Sequence, residues 1–327
     1  MLRDHYIFSN GRLKRKDNTI YFFDQEENKK SLSVHQTDNL YVFGEVDLNS
    51  SLLNFLSQHD IHLHIFNYYG FYAGTFCPRN KKASGFTVVQ QSAHYLDLEK
   101  RLYVAKAFLR SAVHHMLRNI RRHKEKTEEY VERIEIEVQK IETAKSIQEL
   151  MGIEGRIRQH YYQSFNAILK NDFIFEKRTK QPPQDPLNAL ISFGNTLCYT
   201  TVLSEIYKTQ LDPTVSFLHE PSTKRFSLCL DLAEIFKPLI VDAVIISCIN
   251  NRIITKKHFE FMEGMVFLNE EGKKKFIKEW DDKLSTSVQH RKLKRKVSYR
   301  YFIRLECYKL IKHFIGDEPY KPLKAWW

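Results

Sequence analysis

His219, Asp231 and Glu234 stand in the otherwise apolar stretch FLHEPSTKRFSLCLDLAEIFKPLIVD, residues 217–242. A carboxylate buried there without a partner is costly, so two of them call for a cation or a shared proton. Asp231 and Glu234 are three residues apart, which puts them on one helical face with roughly 5–6 Å between Cβ atoms. His219 is separated from them by the loop EPSTKR, long enough to fold its imidazole back to the start of the same helix. Ligands of mixed nitrogen and oxygen type suit Mg²⁺ or Mn²⁺, Mn²⁺ being the better match to an imidazole. The plain alternative is a solvated face whose ion pairs come from Lys224 and Arg225. Against it, Leu228, Leu230, Leu232, Ile235, Phe236 and Leu239 surround the carboxylates and predict a buried helix.

A second unusual stretch is ELMGIEGRIRQHYYQSFN, where Gly152 and Gly155 bracket Glu154. Each glycine costs a helix about 1 kcal/mol relative to alanine, so the pair predicts a close approach. A tight helix crossing with Glu154 turned to water is one reading. The other is that a helix or a phosphodiester backbone comes near Glu154, which then joins the ligand set. His62 and His64 in IHLHIF are expected on the exposed side of an edge strand, and the adjacent His114 and His115 do not share a helix face. The block HRKLKRK at 290–296, with Arg291, Lys292, Lys294 and Arg295, lies beside Tyr299, Tyr301 and Phe302. Between 273 and 296 ten Lys or Arg stand against three Asp or Glu, which makes this the best nucleic-acid footprint in the chain.

The whole chain agrees with such a partner. Its 51 Lys and Arg exceed its 39 Asp and Glu, leaving a net charge of +12 over 327 residues. That balance favours a polyanion, with nucleic acid ahead of an anionic membrane surface. The five cysteines lie far apart without a C-x-x-C pair, which indicates reduced, buried thiols rather than a disulfide frame or zinc ribbon. No apolar run reaches the roughly 20 residues of a membrane span, and MLRDHYIFSN lacks a secretory apolar region, so a soluble, cytoplasmic protein is expected.

The elements that must position these residues fall into two blocks. Residues 1–84 are expected to form a small β-rich domain: HYIFSNGRLKRKDNTIYFFD carries hairpin chemistry at Asn10-Gly11 and Lys16-Asp17-Asn18. LYVFGEV, IHLHIF and FYAGTF follow as strands, with one short helix capped at Asn49 or Ser50. The aperiodic segment CPRNKKASG marks the boundary. Residues 85–327 are expected to be a larger, all-α domain. Tyr95, Leu98, Leu102, Ala105, Leu109, Ala112 and Met116 form the stripe of a long helix. Further helices are expected at about 128–145, 146–170, 187–208, 227–250, 255–268, 271–285 and 296–315, with Asp185 as N-cap ahead of Pro186.

Taken in order, these motifs resemble the CRISPR-associated spacer integrase, the first of the Cas proteins and core subunit of CRISPR adaptation. LMGIEGRIRQHYY is similar to the family's glutamate motif and PPQDPLNALISFGNTLCY to its connecting helix. LDPTVSFLHE is similar to its histidine motif and SLCLDLAEIFKPLIVD to its acidic motif. The resemblance implies a β-rich N-terminal domain that dimerises and a helical, metal-dependent catalytic domain. It places Glu154 and His219 at two ligand positions, with Glu234 favoured as third ligand and Asp231 supporting it from behind or through water. It implies a prokaryotic protein that works as a homodimer with a small second Cas protein on double-stranded, branched or single-stranded DNA. The implied reaction is attack by the 3′-hydroxyl of a captured fragment on a phosphodiester at the border of a CRISPR repeat, with hydrolysis when water replaces that hydroxyl. The competing expectations are a junction nuclease without integration and a non-catalytic helical nucleic-acid-binding module. No function is carried over for the C-terminal YKPLKAWW.

Overall fold

Strand β1 (Arg3–Ile7) does not pair with the strand that follows it. It runs parallel to β5 (Thr37–Val42), while β2 (Gly11–Lys16) belongs to another sheet. Asn10-Gly11 is therefore a corner between sheets rather than the hairpin its residue types suggest. A Cβ on Gly11 would lie 2.0 Å from the carbonyl oxygen of Phe23, which only glycine tolerates. The true hairpin joins β2 to β3 (Thr19–Asp24) through Asp17 at a φ of 53° and Asn18. With β4 (Lys29–Ser33) and β6 (Val46–Asp47) these strands make a sheet of order β4-β3-β2-β6. The other sheet has order β1-β5-β7-β8, with β7 at His62–Phe66 and β8 at Tyr72–Phe76. Leu13, Ile20, Leu40 and Leu63 from the two sheets share a core with Leu52 and Phe55 of helix α1 (Ser50–Gln58), capped by Asn49. Because β7 is an interior strand, His62 and His64 are buried rather than exposed. His64 Nδ1 bonds Thr75 Oγ1 at 2.7 Å, and its ring lies 4.7 Å from that of Tyr41.

The computed structural model describes residues 2–79, 82–170, 173–221 and 226–327. It divides into two units, Met1–Lys81 and Lys82–Trp327. The architecture is α+β, a small β-rich unit followed by a larger and mostly helical one. In the second unit the stripe from Tyr95 to Met116 is split. α2 (Gly85–Leu96) stops at Asp97, whose side chain accepts the N–H groups of Glu99 and Lys100 and starts α3 (Leu98–Arg121). There follow α4 (Lys124–Thr143), α5 (Ile147–Gln163) and the short α6 (Phe165–Ile168). Asp185 caps α7 (Pro186–Tyr207) by accepting from the N–H of Asn188. α7 is buried on almost every side and forms the axis of the unit.

The helix expected at 227–250 is three pieces: α8 (Ser227–Phe236), a π-helical turn at Lys237–Asp242, and α9 (Ala243–Asn250). Pro238 lacks the N–H that an unbroken ladder would use, and the turn widens around it. α7 presses against this turn at Gly194, where a Cβ would sit 2.5 Å from Val241 Cγ1. The helix expected at 255–268 is instead a hairpin of β9 (Phe259–Met262) and β10 (Met265–Leu268), closed by Glu263 and by Gly264 at a φ of 71°. Its apolar run was too short for periodicity to separate strand from helix. After α10 (Glu270–Ser285), a second hairpin of β11 (Ser287–Gln289) and β12 (Lys296–Ser298) precedes α11 (Tyr299–Phe314). These two hairpins correct the all-α expectation for the second block. The C-terminal segment packs back on the unit: Glu306, buried on α11, accepts from the Tyr320 hydroxyl at 2.8 Å and the Leu323 N–H at 3.1 Å.

Candidate active site

α8 is buried along nearly its whole length, as its apolar sequence requires. Its two carboxylates nevertheless have different surroundings. Asp231 faces the loop before the helix. Its Oδ2 accepts the backbone N–H groups of Phe217 at 2.6 Å and Leu218 at 3.0 Å. Its Oδ1 accepts the backbone N–H of His219 at 2.9 Å and the ring Nδ1 at 2.8 Å. With Nδ1 donating, Nε2 is left as the basic nitrogen of the imidazole. The loop is held from outside as well. Ser216 Oγ donates to the His219 carbonyl at 2.5 Å, Arg101 Nε to the Phe217 carbonyl at 2.9 Å, and Arg101 Nη2 to Glu220 at 2.7 Å.

Glu234, one turn further, looks away from that loop toward α5. Arg158 on α5 lies between Glu234 and Glu154, with Nε donating to Glu154 one helical turn before it and Nη2 in an ion pair with Glu234. The second pair lacks hydrogen-bond geometry: among the described residues, neither Arg158 Nη2 nor Glu234 Oε2 has a hydrogen-bond partner. The other oxygen of Glu234 accepts from Lys237 Nζ at 2.6 Å. Lys237 comes from the π turn and rests 4.7 Å above the Tyr199 ring. The side chains of Glu154 and His219 keep 15% and 22% of their exposure, against 4% for Glu234, so the site opens on the Glu154 and His219 side.

Charge at this site is close to self-compensated. Burial pushes the Glu154 carboxyl up, but Arg158, Lys237 and His219 outweigh it and hold the group below the ordinary carboxylate range. Burial works against the charge of Arg158, and the same Glu154 more than reverses that, so the guanidinium holds its proton above its usual value. Asp242, at the end of the π turn, is different. Both its oxygens are buried and, among the described residues, without a hydrogen-bond partner. Burial pushes its carboxyl up to about 7 against the pull of Arg158, Tyr161, Lys237 and Arg178.

Glu154, His219 and Glu234 bring two carboxylates and an imidazole nitrogen into one neighbourhood, a donor set that suits a hard or borderline divalent cation. As they stand, with Arg158 between the carboxylates, no group of three His, Cys, Asp or Glu among the described residues is gathered tightly enough to hold an ion. The orphaned Oε2 of Glu234 and the guanidinium beside it fit a place where a stronger cation would sit. Arg158, Lys237 and Asp242 were not singled out in the sequence. The four-residue spacing of Glu154 and Arg158 was a readable signal; the place of Asp242 was not.

Other candidates fall elsewhere. Lys224 and Arg225 lie outside the described residues. Arg291, Lys292, Lys294 and Arg295 are exposed on the loop of the β11–β12 hairpin, where Arg291 covers the Trp326 ring at 4.9 Å and Arg295 the Tyr301 ring at 5.1 Å. Among the described residues they share no ion pair with Glu154, His219 or Glu234. The predicted tight crossing at Gly152 and Gly155 is absent. A Cβ on Gly155 would meet nothing within 4 Å, and one on Gly152 only Arg156 Nη1 at 3.4 Å, so the helix face beside Glu154 is open.

The comparisons agree with one another. The family model described as CRISPR associated protein Cas1 matches residues 5–282. A curated relative from Clostridium perfringens, named CRISPR-associated endonuclease Cas1, is 61% identical over 330 residues, covering 100% of both chains. A solved CAS1 protein from Thermotoga maritima superposes with a TM-score of 0.87 at 41% identity, over 97% of this chain and 99% of that one. A casposase bound to integration product shares the fold, with a TM-score of 0.86 at 22% identity over 99% of this chain and 94% of that one.

Proposed function

Since the chain belongs to the CRISPR-associated Cas1 family, we propose that it is a metal-dependent DNA endonuclease and integrase, with Glu154, His219 and Glu234 as its metal-holding and catalytic residues. The observation that carries this reading is the saturation of Asp231. Every donor it accepts belongs to the His219 loop, so that carboxylate is committed to aiming an imidazole at the opening where Glu154 and Glu234 converge. A non-catalytic helical module has no need of a histidine held in one tautomer beside two partly compensated carboxylates.

Glu154 and Glu234 would hold a Mg²⁺ or Mn²⁺ ion together with His219 Nε2. When bound, such an ion neutralises charge on the phosphoryl oxygens and on the departing 3′-oxygen. Asp231 keeps the imidazole in its Nδ1–H form, so Nε2 is available as a ligand or to take a proton. The open face of Gly152 and Gly155 admits a phosphodiester backbone beside Glu154, where a larger side chain would stand in the way. Basic residues on the hairpin loop, Arg291, Lys292, Lys294 and Arg295, supply phosphate contacts that position DNA without reading sequence. Attack by a fragment 3′-hydroxyl yields joining and attack by water yields cleavage. Positioning of the attacking group supplies much of the rate in either case. Homodimerisation through the β-rich unit, a small second Cas protein as partner and insertion at a CRISPR repeat border belong to this reading through the family resemblance.

The test is a strand-transfer assay with a short duplex, a supercoiled repeat-containing plasmid and Mn²⁺ or Mg²⁺, run with and without the small partner. Joined product from the wild type that vanishes in His219→Ala supports the reading. Cleavage without joining under both conditions reduces it to a nuclease, and no metal-dependent activity at all overturns it.

A further inference from the structure

Asp242 poses a question that the proposed chemistry does not answer. A carboxylate at the centre of a helical unit, with neither oxygen hydrogen-bonded among the described residues, is the kind of group that proteins rarely keep without a use. Three cations act on it: Arg158, Lys237 and Arg178. Two of them are engaged elsewhere. Lys237 Nζ is held by Glu234 at 2.6 Å. The Arg178 guanidinium donates to Asn188 Oδ1 at 2.7 Å and to Ser192 Oγ at 2.9 Å. Arg158 is less fully engaged, since its Nη2 touches Glu234 without forming a hydrogen bond. The Tyr162 hydroxyl, likewise buried and unpartnered among the described residues, belongs to the same electrostatic neighbourhood as Arg158 and Asp242.

We propose that Arg158 is a displaceable counter-cation with two stations. In the metal-free site it lies between Glu154 and Glu234, and when a divalent ion takes those carboxylates its guanidinium moves to the unpartnered carboxylate of Asp242. The proposal rests on the metal-site reading above. A divalent ion entering between Glu154 and Glu234 would meet the guanidinium already there, and like charges in a buried site repel strongly. A displaced guanidinium stranded in the interior would oppose metal binding. The two free oxygens of Asp242 match its fork and remove that penalty. The π turn thus carries both halves of the arrangement: Lys237 stays with Glu234, and Asp242 waits for Arg158. On this account Asp242 acts on the metal through Arg158 alone and is a positioning residue.

Calorimetric titration of Mn²⁺ into the full chain, stripped with EDTA and free of DNA, tests this without reference to activity. Wild type, Asp242→Asn, Arg158→Gln and the double variant are compared. Asp242→Asn is expected to weaken Mn²⁺ binding about tenfold or more, the usual cost of losing a group that supports metal ligands from behind. Arg158→Gln is expected to bind Mn²⁺ at least as tightly as wild type, and adding Asp242→Asn to it should change nothing further. An unchanged affinity in Asp242→Asn, or an equal loss with and without Arg158, overturns the two-station arrangement while leaving the metal site intact. Absence of Mn²⁺ binding in the wild type would overturn the metal site and the proposal together. Should Arg158→Gln fail to fold without metal, Asp242→Asn against wild type decides the matter alone, because its unchanged affinity is sufficient to refute.

Discussion

One oxygen of Asp231 accepts both the backbone N–H of His219 at 2.9 Å and the Nδ1 of the same imidazole at 2.8 Å. The second oxygen takes the two preceding backbone N–H groups. A single buried carboxylate therefore fixes the loop conformation, the ring orientation and the tautomer at once.

Asp231 and His219 should separate in a stability measurement. Asp231→Asn replaces an acceptor by an NH₂ group facing inward-pointing donors and is expected to lose about 1–3 kcal/mol in urea denaturation, with strand transfer falling at least tenfold. His219→Ala removes a partly exposed ring, so its stability should stay within about 1 kcal/mol of wild type while turnover is abolished. Comparable loss of stability in both variants would assign His219 to the scaffold.

Two glycines give opposite expectations. Gly155→Ala adds a methyl group where nothing lies within 4 Å. It should raise the melting temperature, in line with a gain of about 1 kcal/mol. Gly194→Ala would drive a methyl group to 2.5 Å from Val241 Cγ1, between α7 and the π turn. A loss of about 1–3 kcal/mol is expected there, with scanning calorimetry as the check. If a phosphodiester passes over Gly155, the stabilised variant should also join DNA more slowly.

Acid should destabilise the protein through His115. This residue is buried on α3, its Nδ1 donating to the Ile235 carbonyl on α8 at 2.9 Å and its Nε2 accepting the Ala325 N–H at 3.0 Å. Burial, with His114 and Arg118 adding to it against the Ile235 hydrogen bond, brings the imidazole down to about 3. Between that value and about 6.5 the unfolded chain binds the proton and the folded chain does not, so stability falls as pH falls through this window. The contribution is about 1.4 kcal/mol per pH unit, hence about 2 kcal/mol between pH 6.5 and 5. Urea midpoints at several pH values should show it, with a shallower slope in His115→Gln.

DNA affinity should respond to salt through the hairpin loop. Replacing the exposed Arg291, Lys292, Lys294 and Arg295 by Ser takes away four cations that can neutralise phosphates. The slope of log K against log salt should then flatten by about 0.9 for each duplex phosphate left without its cation. Melting temperature should barely move. An unchanged slope would take these residues out of the interface.

The sequence by itself determined which residue types occur at which spacing, and that was enough for much of the site. The carboxylates of LDLAE inside an apolar helix, the histidine one loop upstream and Glu154 between two glycines were legible because local chain geometry fixes what lies within a turn or a short loop. The same locality made the caps at Asn49 and Asp185 and the order of a β-rich block before a helical one readable. What required the tertiary structure is every relation that crosses elements. Three residues along a helix rotate a side chain by only about 60°, so spacing placed Asp231 and Glu234 together. Packing then set them against different neighbours, a loop on one side and Arg158 of α5 on the other. His62 and His64 alternate with apolar residues as an edge strand would, yet β7 is covered on both sides by neighbouring strands. Gly155 and Gly194 look equivalent as letters, and only the partner elements decide that one faces open space and the other the π turn.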